Sequence, residues 1–173
     1  ASQKSGNRNL DNFTDIRDFF INWKHNQDPK ASTSSRFSAN VNAGSSSYHQ
    51  NNSFNSNDYL KNTFSSNVSY SKTWKKSNLS VNLRHSQNTL NKTVNLSLPE
   101  LNYSINRFQP FKVLNKSSKS KFYDNISVSY SVNAKNKIST TDSLLFTSKS
   151  LQNFSNGLKH SIPISASFKA LKH

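Results

Sequence analysis

The chain has no cysteine, no methionine, only three glycines and four prolines, and eight acidic residues against 23 lysines and arginines. Without cysteine it can form no disulfide, thiolate metal site or cysteine nucleophile within itself. The absence of methionine extends to position 1, which reads as a removed N-terminal segment or as an internal piece of a longer protein. With so little glycine and proline, turns fall to Asn, Asp and Ser, whose side chains bond their own backbone. No apolar run approaches the roughly 18–20 residues of a membrane-spanning helix. The opening "ASQKSGNRNL" lacks the apolar core of an intact signal peptide. Neither absence bears on a β-barrel, whose strands leave no such run.

What the chain does have is serine and asparagine, 60 residues together. Its hydrophobic share is 32%, against about 45–50% in soluble globular domains on a count that includes glycine. Disordered chains are also polar, but they are poor in aromatic residues. Here aromatics make up 12% and recur in register, so the polarity is patterned. The formal charge of +15 suits an anionic membrane surface, a phosphorylated ligand or nucleic acid. The basic residues are scattered singly. Their densest run, "KSSKSK" (Lys116 to Lys121), reads as a solvated loop.

The strand period dominates. Phe19, Ile21 and Trp23 alternate with Phe20, Asn22 and Lys24. Phe37, Ala39, Val41 and Ala43 alternate with Ser38, Asn40 and Asn42. Phe64, Val68 and Tyr70 oppose Ser65, Asn67 and Ser69. Leu79, Val81 and Leu83 oppose Ser80, Asn82 and Arg84. Val94, Leu96, Leu98, Leu101, Tyr103 and Ile105 follow. Then come Ile126 to Ala134, a weaker candidate at Leu144 to Phe146, and Ile162 to Phe168. Short connections are expected at Asp28 to Thr33, Trp74 to Asn78 and Gln87 to Asn91, with longer ones at Ser45 to Asp58 and Gln109 to Ser120. The reading is all-β: an antiparallel meander of about eight strands.

A soluble sandwich alternates too, but with shorter strands and more charge outside. Strands near ten residues, with one apolar face and one of small hydroxyls and amides, fit a transmembrane barrel with a wet lumen. Trp23, Trp74 and Phe108 fit an interfacial girdle. In "LSLPEL" the apolar parity slips by one between Leu98 and Leu101. One extra residue is what a β-bulge supplies, so a bulge is predicted at Pro99–Glu100 with the apolar residues kept on one face.

Four stretches carry a family resemblance: "NWKHNQDPKASTSSRFSANVNAGSSSY" (Asn22 to Tyr48), "YLKNTFSSNVSYSKTW" (Tyr59 to Trp74), "LSVNLRHSQNTLNKTVNLSLPELNYSINRFQPFK" (Leu79 to Lys112) and "GLKHSIPISASFKALKH" (Gly157 to His173). Together they resemble the barrel region of the LPS-assembly protein family LptD of Gram-negative outer membranes. The "HSQNT…TVNLSLPEL…NRFQPF" run is the most specific part. The resemblance implies a large outer-membrane barrel plugged by an LptE-type lipoprotein and supplied with lipopolysaccharide by a periplasmic bridge protein. Its activity would be insertion of lipopolysaccharide into the outer leaflet, without covalent chemistry or cofactor. At 173 residues, and ending in His173, the chain is expected to be, over residues 1–173, part of a single barrel domain, an internal block of about eight strands without the N-terminal periplasmic domain and the remaining strands. Two other readings stand beside it: another outer-membrane barrel, such as a TonB-dependent receptor or porin, and a soluble secreted β-sandwich that binds sugars or nucleic acid.

Few residues suggest chemistry. His25, His49, His85, His160 and His173 form no close ligand set, and Asp15 with Asp18 makes no dyad that sequence alone can support. No nucleophile elbow, phosphate loop or zinc motif is present, so no catalytic, cofactor or metal residue is assigned and the chain is not read as an enzyme. Arg84 and Lys24 fall on the lumen-facing parity, where arginine can grip a phosphate in a bidentate way. They are the two candidate ligand-binding residues. Lys72 and Arg107 fall on the lipid-facing parity near strand ends, where they can snorkel to head groups. The expected partners are lipopolysaccharide, the plug, the bridge protein and the outer membrane, with no nucleic acid.

Overall fold

The computed structural model describes residues 2–5, 14–115, 121–145 and 147–167. Outside them lie Lys116 to Ser120 of the basic run, Phe146, Phe168 and His173. The strands are β1 (Ser2–Ser5), β2 (Thr14–Arg17), β3 (Phe20–Asn26), β4 (Ser35–Gly44), β5 (Thr63–Thr73), β6 (Ser77–Asn88), β7 (Thr93–Phe108), β8 (Ile126–Thr141), β9 (Ser155–Ser161) and β10 (Ile164–Ala166). β1 and β2 form a separate two-stranded ribbon that the sequence pattern did not announce. β3 to β10 form one antiparallel sheet in which each strand from β3 to β8 pairs with the next. β9 and β10 lie end to end along β8, broken at Ile162–Pro163, where the Pro163 carbonyl still accepts from the Ser129 amide at 3.1 Å. Among the described residues β3 does not pair with β9 or β10, so the sheet is open, and no second sheet is stacked on it as in a sandwich.

Each strand forms because its residues fit the period-two pleat. The register keeps one apolar row beside the next: Phe37 faces Tyr70, Tyr70 faces Val81, Val81 faces Leu101, and Leu101 faces Ala134. The opposite face is Ser, Asn and basic residues. The short connections fall where expected, at Gln27–Ser34, Trp74–Lys76 and Thr89–Lys92. The longer ones carry single-turn helices: α1 (Tyr48–Asn52), α2 (Ser56–Tyr59), α3 (Pro110–Leu114) and α4 (Ser148–Gln152). One expected strand is absent. Asp142–Leu144 is a 3-10 turn, and Leu145 packs onto the core, so this apolar cluster is a strap over the sheet and not a strand. A further difference is that β9 begins at Ser155, ahead of the expected Ile162.

The bulge lies where the parity slip put it. Between Asn82 and Arg84 of β6, β7 advances from Glu100 to Ser97, and the same residues span Lys135 to Lys137 of β8. Both neighbours advance two residues while β7 advances three, so one extra residue is carried at Leu98–Glu100 and pairing is broken at Pro99. The apolar side chains Leu96, Leu98 and Leu101 stay on one face. The Leu98 carbonyl, released from the ladder, accepts from Asn136 Nδ2 at 3.0 Å. That explains an amide at an apolar-face position of β8.

Candidate functional site

The polar face of the sheet holds both candidate residues. Lys24 is opposite Asn40, Asn40 opposite Asn67, Asn67 opposite Arg84, Arg84 opposite Ser97, and Ser97 opposite Lys137. Lys24, Arg84 and Lys137 therefore stand in one row that crosses the sheet at right angles to the strands. At about 4.8 Å per strand, Lys24 and Arg84 are about 14 Å apart at the backbone. They share a row without touching. In the adjacent row Glu100 faces Lys135. Its carboxylate lies 3.7 Å from Arg84 Nη1 and 3.5 Å from Lys135 Nζ. Both cations are about half exposed, so each pair contributes no more than about 1 kcal/mol to stability. One carboxylate between two cations leaves a positive surplus facing outward.

Lys135 and Lys137 are further candidates on this face that the sequence reading missed. Their signal was present: both continue the polar parity of β8 past Ala134. Asn136 between them disguised the strand, since it is an amide where an apolar residue was expected. In the sequence pattern Glu100 figures only as part of the bulge. Lys72 lies on the apolar face, and its ammonium reaches back to Ser34 Oγ at 2.9 Å. Arg107 sits at a second irregularity of β7, between Ile105 and Phe108.

The other candidates are structural. Asp15 pairs with Arg17 at 3.1 Å. Asp18 is buried and accepts from Ser45 Oγ, Ser47 Oγ, Asn51 Nδ2 and Asn52 Nδ2 at 2.7–3.3 Å. Burial pushes its carboxyl up, but the hydrogen bonds from Ser47, Asn51, Ser45 and Asn52 outweigh this and hold it below the ordinary 3.8. It pins the β4–β5 loop to the chain entering β3. His25 lies between the rings of Trp23 and Phe37, His49 stacks on Phe64, and Tyr130 Oη lies 2.8 Å from His160 Nδ1. His85 Nδ1 is 3.4 Å from Ser66 Oγ, but that hydroxyl is engaged with both the amide and the carbonyl of Asn42. Among the described residues no three His, Asp or Glu side chains are grouped to hold a metal ion.

A family model described as LptD protein matches residues 1–173. The chain belongs to the LptD family. The match bears out the resemblance read from the four stretches between Asn22 and His173 and extends it over the whole chain. The LptD family serves lipopolysaccharide transport at the outer membrane, and its work is assembly. Neither a curated protein nor a solved structure matches the chain.

Proposed function

We propose that residues 1–173 form part of a single outer-membrane barrel domain of an LPS translocon that inserts lipopolysaccharide into the outer leaflet. The observation that carries this is the two-faced sheet of long antiparallel strands in a chain matched throughout by the LptD family. In this reading the polar face lines the lumen and the open edges at β3 and β9–β10 pair with further strands of the same barrel. Unpaired edges next to an apolar face otherwise invite aggregation. The family match favours this over a porin or TonB-dependent receptor, and the single open sheet favours it over a soluble sandwich. An LptE-type plug lipoprotein and a periplasmic bridge protein are the partners, and no cofactor or catalytic residue takes part.

Lys24 and Arg84, with Lys135 and Lys137, offer cations to lipopolysaccharide phosphates along the lumen wall. A spread row of weakly paired cations suits a passage, since a moving ligand must be released as readily as it is held. The test is a charge reversal in the full-length protein, Lys24→Glu combined with Arg84→Glu. Lipopolysaccharide at the cell surface should fall while barrel abundance is unchanged. Unchanged surface lipopolysaccharide would remove these two residues from the path. Barrel protein recovered in the soluble fraction without detergent would remove the membrane reading altogether.

A further inference from the structure

The apolar face is not uniform. Toward the β4–β5 and β8–β9 loops it is covered by the chain itself from β5 to β8, while on the edge strand β3 Ile21 and Trp23 stay about half exposed. Val94 is 0% exposed, Phe64 1%, Ile138 6% and Leu96 7%. Leu145 of the strap and Phe154 pack on Val94, Leu96 and Ile138. Asp142 of the strap accepts from Gln87 Nε2 at 3.2 Å and from Ser46 Oγ, tying the two loops to each other and to β6. A cavity of about 850 Å³ remains beneath them. Toward the other end nothing in the described chain covers the face. Leu158 is 66% exposed, and Tyr70, Leu83 and Phe108 are also open. Leu101, Tyr103 and Ile105 are half-buried, Tyr103 beside the turn at Trp74–Lys76.

The change from covered to bare falls at the Pro99 bulge. β7 has 16 residues, more than the about 9–11 that a tilted strand needs to cross a bilayer. Its bare part, Glu100–Phe108, has nine, and nine residues span about 30 Å at about 3.4 Å each. With barrel tilt this matches an apolar band about 25 Å tall. The bare part ends on Trp74, Phe108 and Tyr130. At its other limit Trp23, in register with Val41, stands at the edge of the covered region. Lys72 bends toward the loop end of its strand, as a basic residue at a head-group boundary does. Four polar residues that break the apolar face, Ser66, His85, Gln87 and Asn136, lie at or beyond the bulge line; within the bare part the row of Tyr103 carries two more, Lys72 and His160, and His160 Nδ1 is 2.8 Å from Tyr130 Oη.

We infer that only the half of the sheet from the Pro99 bulge to the Trp74–Phe108 end lies in the hydrocarbon, and that the half beneath the 45–62 and 142–154 loops stands in water with its own small core. This rests on the barrel reading, and a test on the full-length protein in isolated, open outer membranes separates the two. Because this segment has no cysteine, single cysteines can be placed at Tyr70→Cys and Leu158→Cys on the bare half, and at Ser143→Cys and Leu144→Cys in the strap, on a background free of other reactive cysteines. The strap pair should react with a charged, water-soluble maleimide at least roughly tenfold faster than the bare pair, because the hydrocarbon excludes water. An apolar pyrene maleimide should reverse that order. Protection of all four from the charged reagent, with all four open to the apolar one, would overturn the inference and leave the barrel standing. Free reaction of all four with the charged reagent would overturn the barrel reading and the inference with it.

Discussion

The two parts of β7 on either side of Pro99 share one pattern and solve different problems. Thr93 to Leu98 alternates so that Val94 and Leu96 can be buried under the chain's own loops. Glu100 to Phe108 alternates with the same period, yet Leu101, Tyr103 and Ile105 are only half-buried and no loop core packs on them as on Val94 and Leu96. Alternation alone therefore records that a strand has an apolar face, and not what covers it. In the first part the cover is protein, with its polar groups supplied by Asp142, Ser46 and Gln87. In the second part the fitting cover is lipid. The bulge sits between them and lets one continuous strand serve both, since it restores the apolar parity after the extra residue.

The largest break in this comparison is expected at Phe64. Its ring fills the wedge where β4 and β5 part, against Gly44, Phe20 and His49. Phe64→Ala should cost about 3–5 kcal/mol, as other large core truncations do, and should do so in detergent and bilayer alike, read by denaturant unfolding of the full-length protein. A bare-half change should behave otherwise. Leu101→Arg should cost about 2–4 kcal/mol for folding into liposomes and much less in micelles, where a charge can reach water. Equal penalties in both media would make the two halves alike.

A smaller effect belongs to Asp18. Asp18→Ala removes the carboxylate that Ser45, Ser47, Asn51 and Asn52 share, at a cost of about 1–3 kcal/mol, and should quicken proteolysis within 53–58. The pH dependence has a fixed sign. The folded pKa lies below the ordinary 3.8, so the contribution is fully present above about that value and is lost as pH falls through the lower, folded one. Loop protection that instead declines between pH 6 and 5 would point away from Asp18. The smallest effect is at Glu100. Glu100→Gln removes two pairs whose cations are about half exposed, so stability should change by no more than about 1 kcal/mol, while the cation row becomes more positive.

The sheet was legible in the sequence because its side chains keep a strict period of two, and the bulge because a slip in parity has few other causes. The strap was not. Leu144, Leu145 and Phe146 are an apolar cluster in a Ser- and Thr-rich stretch, and three apolar residues cannot show whether they pair with a strand or cover one. The covered half was hidden for the same reason, since Ser45 to Ser47 carry no apolar signal. β1 and β2 are four residues each, too short for any period to show. Of the candidate site, Lys24 and Arg84 were placed on the polar face by parity. That they stand in one row with Lys137 follows from register, which depends on where each turn begins and ends. Trp74 and Phe108 stand at strand ends as expected, whereas Trp23 is in the middle of β3 and marks the limit of the bare face.

The most direct test of the central claim is photo-crosslinking in living cells, with the crosslinking residue placed at Arg84 on the polar face and, separately, at Leu158 on the bare apolar face of the full-length protein. The account predicts lipopolysaccharide adducts at Arg84 that disappear when transport is halted, whereas any at Leu158, which faces the outer leaflet itself, persist. No adducts at Arg84 while transport continues would contradict a polar face that lines the passage.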